Sequence, residues 1–274
     1  MKFLELLNRK GLIGAHRGAR ALRPENTLSA LKESVGHSDF MEVDVQFSSD
    51  RVAIIMHDDT LARTTNVSEI KSFKSRTPYR VCDFSYEELC MLDYRSWFYR
   101  EDPFLGIADG RVDLAQIRDK REPLLTLHET LKFVKENNLF INVEIKDVHD
   151  FLSDGEVVAI IANEIESLHV QEHVLLTSFR HEYLPLFKAR MADVATATLT
   201  AKKHPHSDIY ELITYLKNLK VDGYHLNDGL VDKETVTQLH KAGFFVNVYT
   251  VNNPLRQKEL FEMGVNGVFS DFCG

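Results

Sequence analysis

The chain has 274 residues, 44% of them apolar and 27% charged, the makeup of an ordinary globular protein long enough to bury a full core. Its net charge of −8 excludes a general nucleic-acid binder, which would show an excess of Lys and Arg, yet leaves room for a local pocket that holds an anion. No stretch approaches the roughly 18–20 apolar residues of a membrane span, and "MKFLELLNRKGLIG" is not a signal peptide, so a cytoplasmic protein without stable membrane insertion is expected.

Taken in order, the chain alternates strand-like and helix-like segments. The apolar runs "GLIGA", "FMEVDVQF", "VAIIMH", "LFINVEIK", "HVLLTSF", "VATATLT", "GYHLN", "FFVNVYTV" and "GVFSDF" read as strands. Between most of them lie helical patterns: "PENTLSALKESVG", "TLHETLKFVKENN", "DKETVTQLHKAG" and "NPLRQKELFEMG". Gly36, Gly243 and Gly264 suit left-handed helix ends that turn into the next strand. About eight βα units in about 250 residues predict a (β/α)8 barrel, a TIM barrel, as one domain over 1–274. No G-x-G-x-x-G or G-x-x-x-x-G-K-[ST] opens a helix, which disfavours a nucleotide fold.

Nine runs are one too many for eight units. Only "SSDR" separates the second and third, too little for a helix, so they form an antiparallel hairpin at the second strand. A two-residue turn at Asp50-Arg51 sets Asp44 opposite His57, with Glu42 on the same face as Asp44. From 62 to 122 the rhythm breaks, and this stretch is expected as a rim insertion between the hairpin and the third barrel strand. Its charged tract "GRVDLAQIRDKRE" reads as surface. The three cysteines, Cys82, Cys90 and Cys273, are scattered without metal spacing and read as thiols of a reducing compartment.

The chemistry collects at strand ends. In "INVEIK", Val143 and Ile145 suit the helix-facing side, which turns Asn142, Glu144 and Lys146 inward, at the end where barrel sites lie. With Glu42 and Asp44, three carboxylates converge, and without a cation at least one would have to take a proton. Carboxylate-only ligation favours one hard divalent cation, Mg²⁺ or Ca²⁺. His16 ends the first strand and His57 lies on the returning hairpin, so both are acid–base candidates. Arg17 and Lys146 supply fixed positive charge for a phosphate. Such a set suits phosphodiester cleavage and not a Ser-His-Asp hydrolase, since G-x-S-x-G is absent. His225 and Asn227, and Asn247 and Tyr249, can line the same mouth by period two, with His225 and Tyr249 as pocket candidates. Pro24 suits the first turn of the helix after "GAHRGARALRPENT", whose Glu25 and Asn26 either bind substrate or brace the loop. His169, His173, His181, His204 and His206 read as loop or helix-end residues.

"AHRGARALRPENT" resembles the H-R-G…P-E-N-T opening of glycerophosphodiester phosphodiesterases, and "MEVDVQFSSDRVAIIMHDDTLARTT" resembles that family's E-x-D-V…D-G…H-D-x-x-L-x-R-T-T block. "RSWF", "PLLTLHETL", "VEIK", "VYTVNN" and "GVNGVFSDF" follow in the family's order, so the resemblance spans about residues 12–272. It implies a (β/α)8 barrel and metal-dependent hydrolysis of glycerophosphodiesters to glycerol 3-phosphate and an alcohol, through a cyclic phosphate. Carried over by motif, His16 and His57 are the acid–base pair, Glu42, Asp44 and Glu144 bind the metal, and Arg17 and Lys146 hold the phosphate. Arg51 replaces the family's usual turn glycine, Tyr249 a common tryptophan and His128 the usual glutamate. Two other readings compete. A lysophospholipase D or sphingomyelinase-D-like enzyme would act on a larger lipid, but the chain shows no basic membrane face. A non-catalytic phospholigand-binding barrel should have lost one of the five catalytic and metal positions, and all five are present.

Overall fold

The computed structural model describes residues 2–117 and 122–273. All nine apolar runs are strands: β1 (Leu12–Ala15), β2 (Phe40–Phe47), β3 (Ala53–Ile55), β4 (Ile141–Ile145), β5 (Val174–Ser178), β6 (Ala195–Thr200), β7 (Gly223–Asn227), β8 (Phe245–Tyr249) and β9 (Gly267–Ser270). Eight of them, all but β3, are joined by parallel pairings in the order β1-β9-β8-β7-β6-β5-β4-β2, and β1 pairs with β2 to close the ring. With helices between strands this is the (β/α)8 barrel. β3 is the extra strand and pairs antiparallel with β2 outside the ring.

The barrel core follows from alternation. One face of each strand packs on the helices, as Val43, Val143, Ile145 and Leu176 do among helix residues Leu131, Ile161 and Phe187. The other face fills the interior. Its floor is Leu12, Phe40, Leu175, Ala195, Ala197, Phe245 and Phe269, and the helix Phe3–Leu7, which the sequence pattern did not suggest, closes the bottom with Phe3, Leu6 and Leu7. Leu127–Glu136 and Asp154–Leu168 begin at capping boxes on Thr126 and Ser153.

Two local expectations need correction. The hairpin register pairs Val45 with Ile55 and Phe47 with Ala53, so Asp44 stands level with Met56, whose N–H donates to the Asp44 carbonyl at 2.9 Å. His57 lies one residue beyond. The loop is longer than two residues: Ser48 N–H donates to Val52 O, and Arg51 takes the turn at φ +67°, the conformation a glycine would adopt without strain. The helix after the first strand is only Leu28–Ser34, capped by the Thr27 hydroxyl, so Pro24 precedes the helix rather than opening it.

Within 62–122 the described residues form short helices (Tyr86–Leu89, Ser96–Glu101) and 3-10 turns around two apolar clusters. Ile54, Met56, Leu61, Phe84, Tyr94 and Leu124 make one, and Trp97, Phe98 and Val112 the other. β3 ties this layer down, because Ile54 faces the rim cluster while Ala53 and Ile55 face the main core. The charged tract runs partly through 118–121, outside the described residues.

Candidate active site

The parallel register assembles the carboxylates. Glu42 lies beside Asn142, and Asp44 beside Glu144, across the β2–β4 pair. One ligand oxygen from each of Glu42, Asp44 and Glu144 lies within 4.8 Å of the others. Lys146 Nζ bridges Asp44, at 2.7 Å, and Glu144. The Arg17 backbone, at φ +57°, turns its N–H onto Glu42 Oε2 at 2.7 Å, while its guanidinium Nε lies 3.4 Å from Asp44. Asn26 makes a two-way contact with Asp44: its Nδ2 donates to Oδ2 at 2.9 Å, and its Oδ1 accepts from the Asp44 N–H at 3.3 Å.

The charges cannot all be equal. Burial and the neighbouring Asp44 and Glu144 push Glu42 well above its ordinary pKa, and burial likewise raises Glu144 against the pull of Lys146. Burial acts on Asp44 too, but Lys146 and then Arg17 overcome it and hold Asp44 well below the usual carboxylate range. Buried Glu42 Oε1 has no hydrogen-bond partner, although its companion oxygen does. An orphaned oxygen in an all-oxygen cluster fits a hard divalent cation.

Each histidine is tied to an aspartate by Nδ1. His16 Nδ1 lies 2.7 Å from Asp271 Oδ1, and His57 Nδ1 lies 2.6 Å from Asp58 Oδ1. Both carboxylates are held below their ordinary pKa values against burial, Asp58 through His57 and Arg63, Asp271 through His16 and Arg20. An ionised carboxylate only accepts, so Nδ1 carries the proton in both rings and Nε2 is left for chemistry. Burial lowers the His16 pKa, partly offset by Asp271, which favours a neutral ring at pH 7.

Glu25 is buried behind these groups and accepts from Arg17, Arg20 and Arg63. Burial would raise its pKa, yet Arg17, Arg63 and Arg20 bring it down to about 2. Asp58, Asp271, Arg20 and Arg63 were missed in the sequence. Asp58 adjoins His57 and Asp271 lies in "SDF", but nothing in their spacing says which histidine each serves.

The pocket candidates divide. Tyr249 is half-buried at the mouth, its ring edge-on to exposed Phe179 at 6.1 Å. His225, expected beside it, is fully buried instead, with Nε2 3.2 Å from the Asn247 amide. Burial alone lowers its pKa to about 3, so it stays neutral and packs between Phe245 and Phe269. It fills the barrel and does not line the open mouth.

A closed barrel that gathers its ionisable side chains at the carboxyl ends of its strands has the architecture of the barrel enzymes. Residues 16–274 match the glycerophosphoryl diester phosphodiesterase family. A glycerophosphodiester phosphodiesterase of Bacillus altitudinis is 33% identical over 266 residues, which cover 95% of this chain and 94% of that protein. The glycerophosphoinositol inositolphosphodiesterase GDPD2 of Mus musculus is 38% identical over 283 residues, covering 100% of this chain and 48% of the longer protein. Among solved structures, a phosphodiesterase of Oleispira antarctica in complex with the product sn-glycerol-3-phosphate has a TM-score of 0.76 at 24% identity, covering 96% of this chain and 94% of that one, which speaks for the fold. The chain belongs to the glycerophosphoryl diester phosphodiesterase family and is an enzyme of it.

Proposed function

We propose that the protein hydrolyses glycerophosphodiesters to sn-glycerol 3-phosphate and an alcohol, with His16 and His57 as the acid–base pair and one divalent cation, Mg²⁺ or Ca²⁺, held by Glu42, Asp44 and Glu144. The observation that carries this reading is the three-carboxylate cluster, with Glu42 and Asp44 buried and Glu144 partly so, and Arg17 and Lys146 against it. When bound, the cation supplies Lewis-acid polarisation of the phosphoryl group. Arg17 and Lys146 balance the phosphate charge. One histidine takes the proton of the glycerol 2-hydroxyl through Nε2 as that oxygen attacks phosphorus. The other protonates the departing alcohol oxygen. The resulting cyclic phosphate is opened by water with the two roles reversed, which returns both histidines to their starting state.

We assign the choice of leaving alcohol to the rim segment 62–122, which joins the site through Trp97 against the Arg63 guanidinium and Phe104 against that of Arg20. The substrate is a small diester, and the setting is the cytoplasm, where the free thiols Cys82, Cys90 and Cys273 are stable. Among the described residues no helix is long and apolar enough to cross a membrane.

Purified protein given glycerophosphocholine should release glycerol 3-phosphate, and a chelator should stop the release until Mg²⁺ or Ca²⁺ is restored. His16→Ala and His57→Ala should each lower kcat by about 10²-fold or more. Full activity after exhaustive metal removal would end the cation assignment, and an active double histidine variant would end the acid–base one. Faster turnover of lysophosphatidylcholine would move the substrate to the larger lipids.

A further inference from the structure

The two His–Asp pairs lie on separate segments, yet one buried side chain reaches both. Asp58 is clamped by Arg63, whose Nε and Nη2 donate to Oδ2 and Oδ1 at 2.6 and 2.9 Å. Arg63 Nη2 and Nη1 also donate to Glu25, at 2.6 and 3.1 Å. On the other side, Arg20 Nη1 lies 3.4 Å from Asp271 Oδ1, and its Nη2 lies 2.9 Å from Glu25 Oε2. Arg17 Nη1 donates to Glu25 Oε1 at 2.8 Å. The result is a continuous chain: His16, Asp271, Arg20, Glu25, Arg63, Asp58, His57.

Among the described residues, Glu25 is the one anion that three guanidiniums share. Each of its oxygens takes two of the four contacts, which fills the carboxylate's accepting capacity. Its side chain is 3% exposed, whereas that of Arg63 is 35% exposed and has room to swing outward. A long side chain at that exposure keeps a fixed geometry only when partners beyond Asp58 hold it; the Trp97 ring lies against the guanidinium, and Glu25 supplies the hydrogen bonds.

We propose that Glu25 is a positioning residue that, through Arg63 and Arg20, fixes the carboxylates orienting both His57 and His16. The inference rests on the acid–base reading of those histidines. If the two rings exchange roles between the half-reactions, both must keep Nδ1 as donor and Nε2 aimed at the reacting oxygens throughout. A shared anchor behind both aspartates does this for the pair. The arms differ in strength. Asp271 has its own support, since Asn252 Nδ2 donates to Oδ2 at 2.7 Å, whereas Asp58 leans on Arg63. The His57 arm should therefore depend more on Glu25.

The test is a double-mutant cycle on glycerophosphocholine hydrolysis with Glu25→Gln, Arg63→Gln and Asp58→Asn. Glutamine keeps the size of Glu25 but turns an NH2 toward arginine donors. Glu25→Gln and Arg63→Gln should each lower kcat by about 10²-fold, the scale of a misplaced catalytic group. Arg63 touches neither Arg17 nor Lys146, so Arg63→Gln should leave KM and the affinity for glycerol 3-phosphate within about twofold. Glu25→Gln combined with Asp58→Asn should lose less than the product of the two single losses, because the two changes share the His57 arm and only the His16 arm is left for Glu25→Gln to weaken. Losses that multiply in that double variant would overturn the proposal, as would wild-type kcat in Glu25→Gln. Should Glu25→Gln not fold, Glu25→Asp, which keeps the charge but shortens the reach to the three guanidiniums, takes its place in the same cycle with Asp58→Asn. His16→Ala and His57→Ala run alongside: if they stay active, the acid–base reading itself fails; if they are dead while Glu25→Gln and Arg63→Gln are normal, only this inference fails.

Discussion

At the scale of single residues, the segment 24–27 shows how much a loop can decide. Asn26 sits at φ +58°, a left-handed conformation that asparagine tolerates better than most residues. From there its amide satisfies both the side chain and the backbone of Asp44, so the loop sets the direction of a metal-ligand candidate. Asn26→Ala should free Asp44 to rotate, lowering cation affinity about 10–100-fold, the usual cost of removing an outer-shell partner. A cation titration followed by calorimetry checks this, and an unchanged affinity would make Asn26 a loop brace only. The carboxylates were legible because they alternate by two along their strands, and the histidines because each follows an apolar strand-like run. Glu25 and Asn26 were not, because their partners come from three separate segments and only the folded chain brings those together. His225 was misjudged for a related reason: period two gives the inward face but not the depth within the barrel.

At the scale of elements, the strands were easy to read and their register was not. "FMEVDVQF" and "VAIIMH" declare themselves by composition, but no Asn-Gly or Asp-Gly pins the turn, and Arg51 supplies the left-handed residue without announcing it. The one-residue difference in register did not displace His57 from the site, because β3 ends at Ile55 and His57 lies on the irregular chain after it. Elements also meet where sequence gives no warning. A Cβ on Gly223 of β7 would stand 2.3 Å from the Phe245 ring of β8, so this strand carries glycine to let the phenylalanine fill the barrel floor. Gly223→Ala should push Phe245 out of place and destabilise the fold by about 1–3 kcal/mol, as overpacking does. Urea unfolding measures it, and a neutral result would mean that the floor adapts to an extra methyl group. The 62–122 layer was legible only as a break in rhythm, since its clusters form from short pieces with no sustained period.

At the scale of the whole molecule, the barrel buries more negative charge at its mouth than its own cations hold comfortably. Lys146 and Arg17 keep Asp44 ionised, while burial and mutual repulsion raise Glu42, and burial raises Glu144. A cation that needs both as carboxylates must displace protons, so uptake should release them and weaken as pH falls. The sign follows from the raised values. Lowering the pH through them protonates the free site first, and protons then compete with the metal for the same oxygens. Saturating cation should stabilise the fold by about 3 kcal/mol at a hundredfold excess over Kd, or about 5–10 °C in Tm for a chain of this size. With the cation concentration held at the value that gives this excess at pH 8, the increment should shrink as the pH is lowered toward 5. Glu42→Gln should abolish it and slightly raise the Tm of the metal-free protein, because a buried carboxylate facing two others is replaced by a neutral amide. Melting curves with and without Mg²⁺ or Ca²⁺ across that pH range, for both proteins, decide the matter. An increment that is constant with pH, or one that survives Glu42→Gln unchanged, would place the cation away from the three carboxylates.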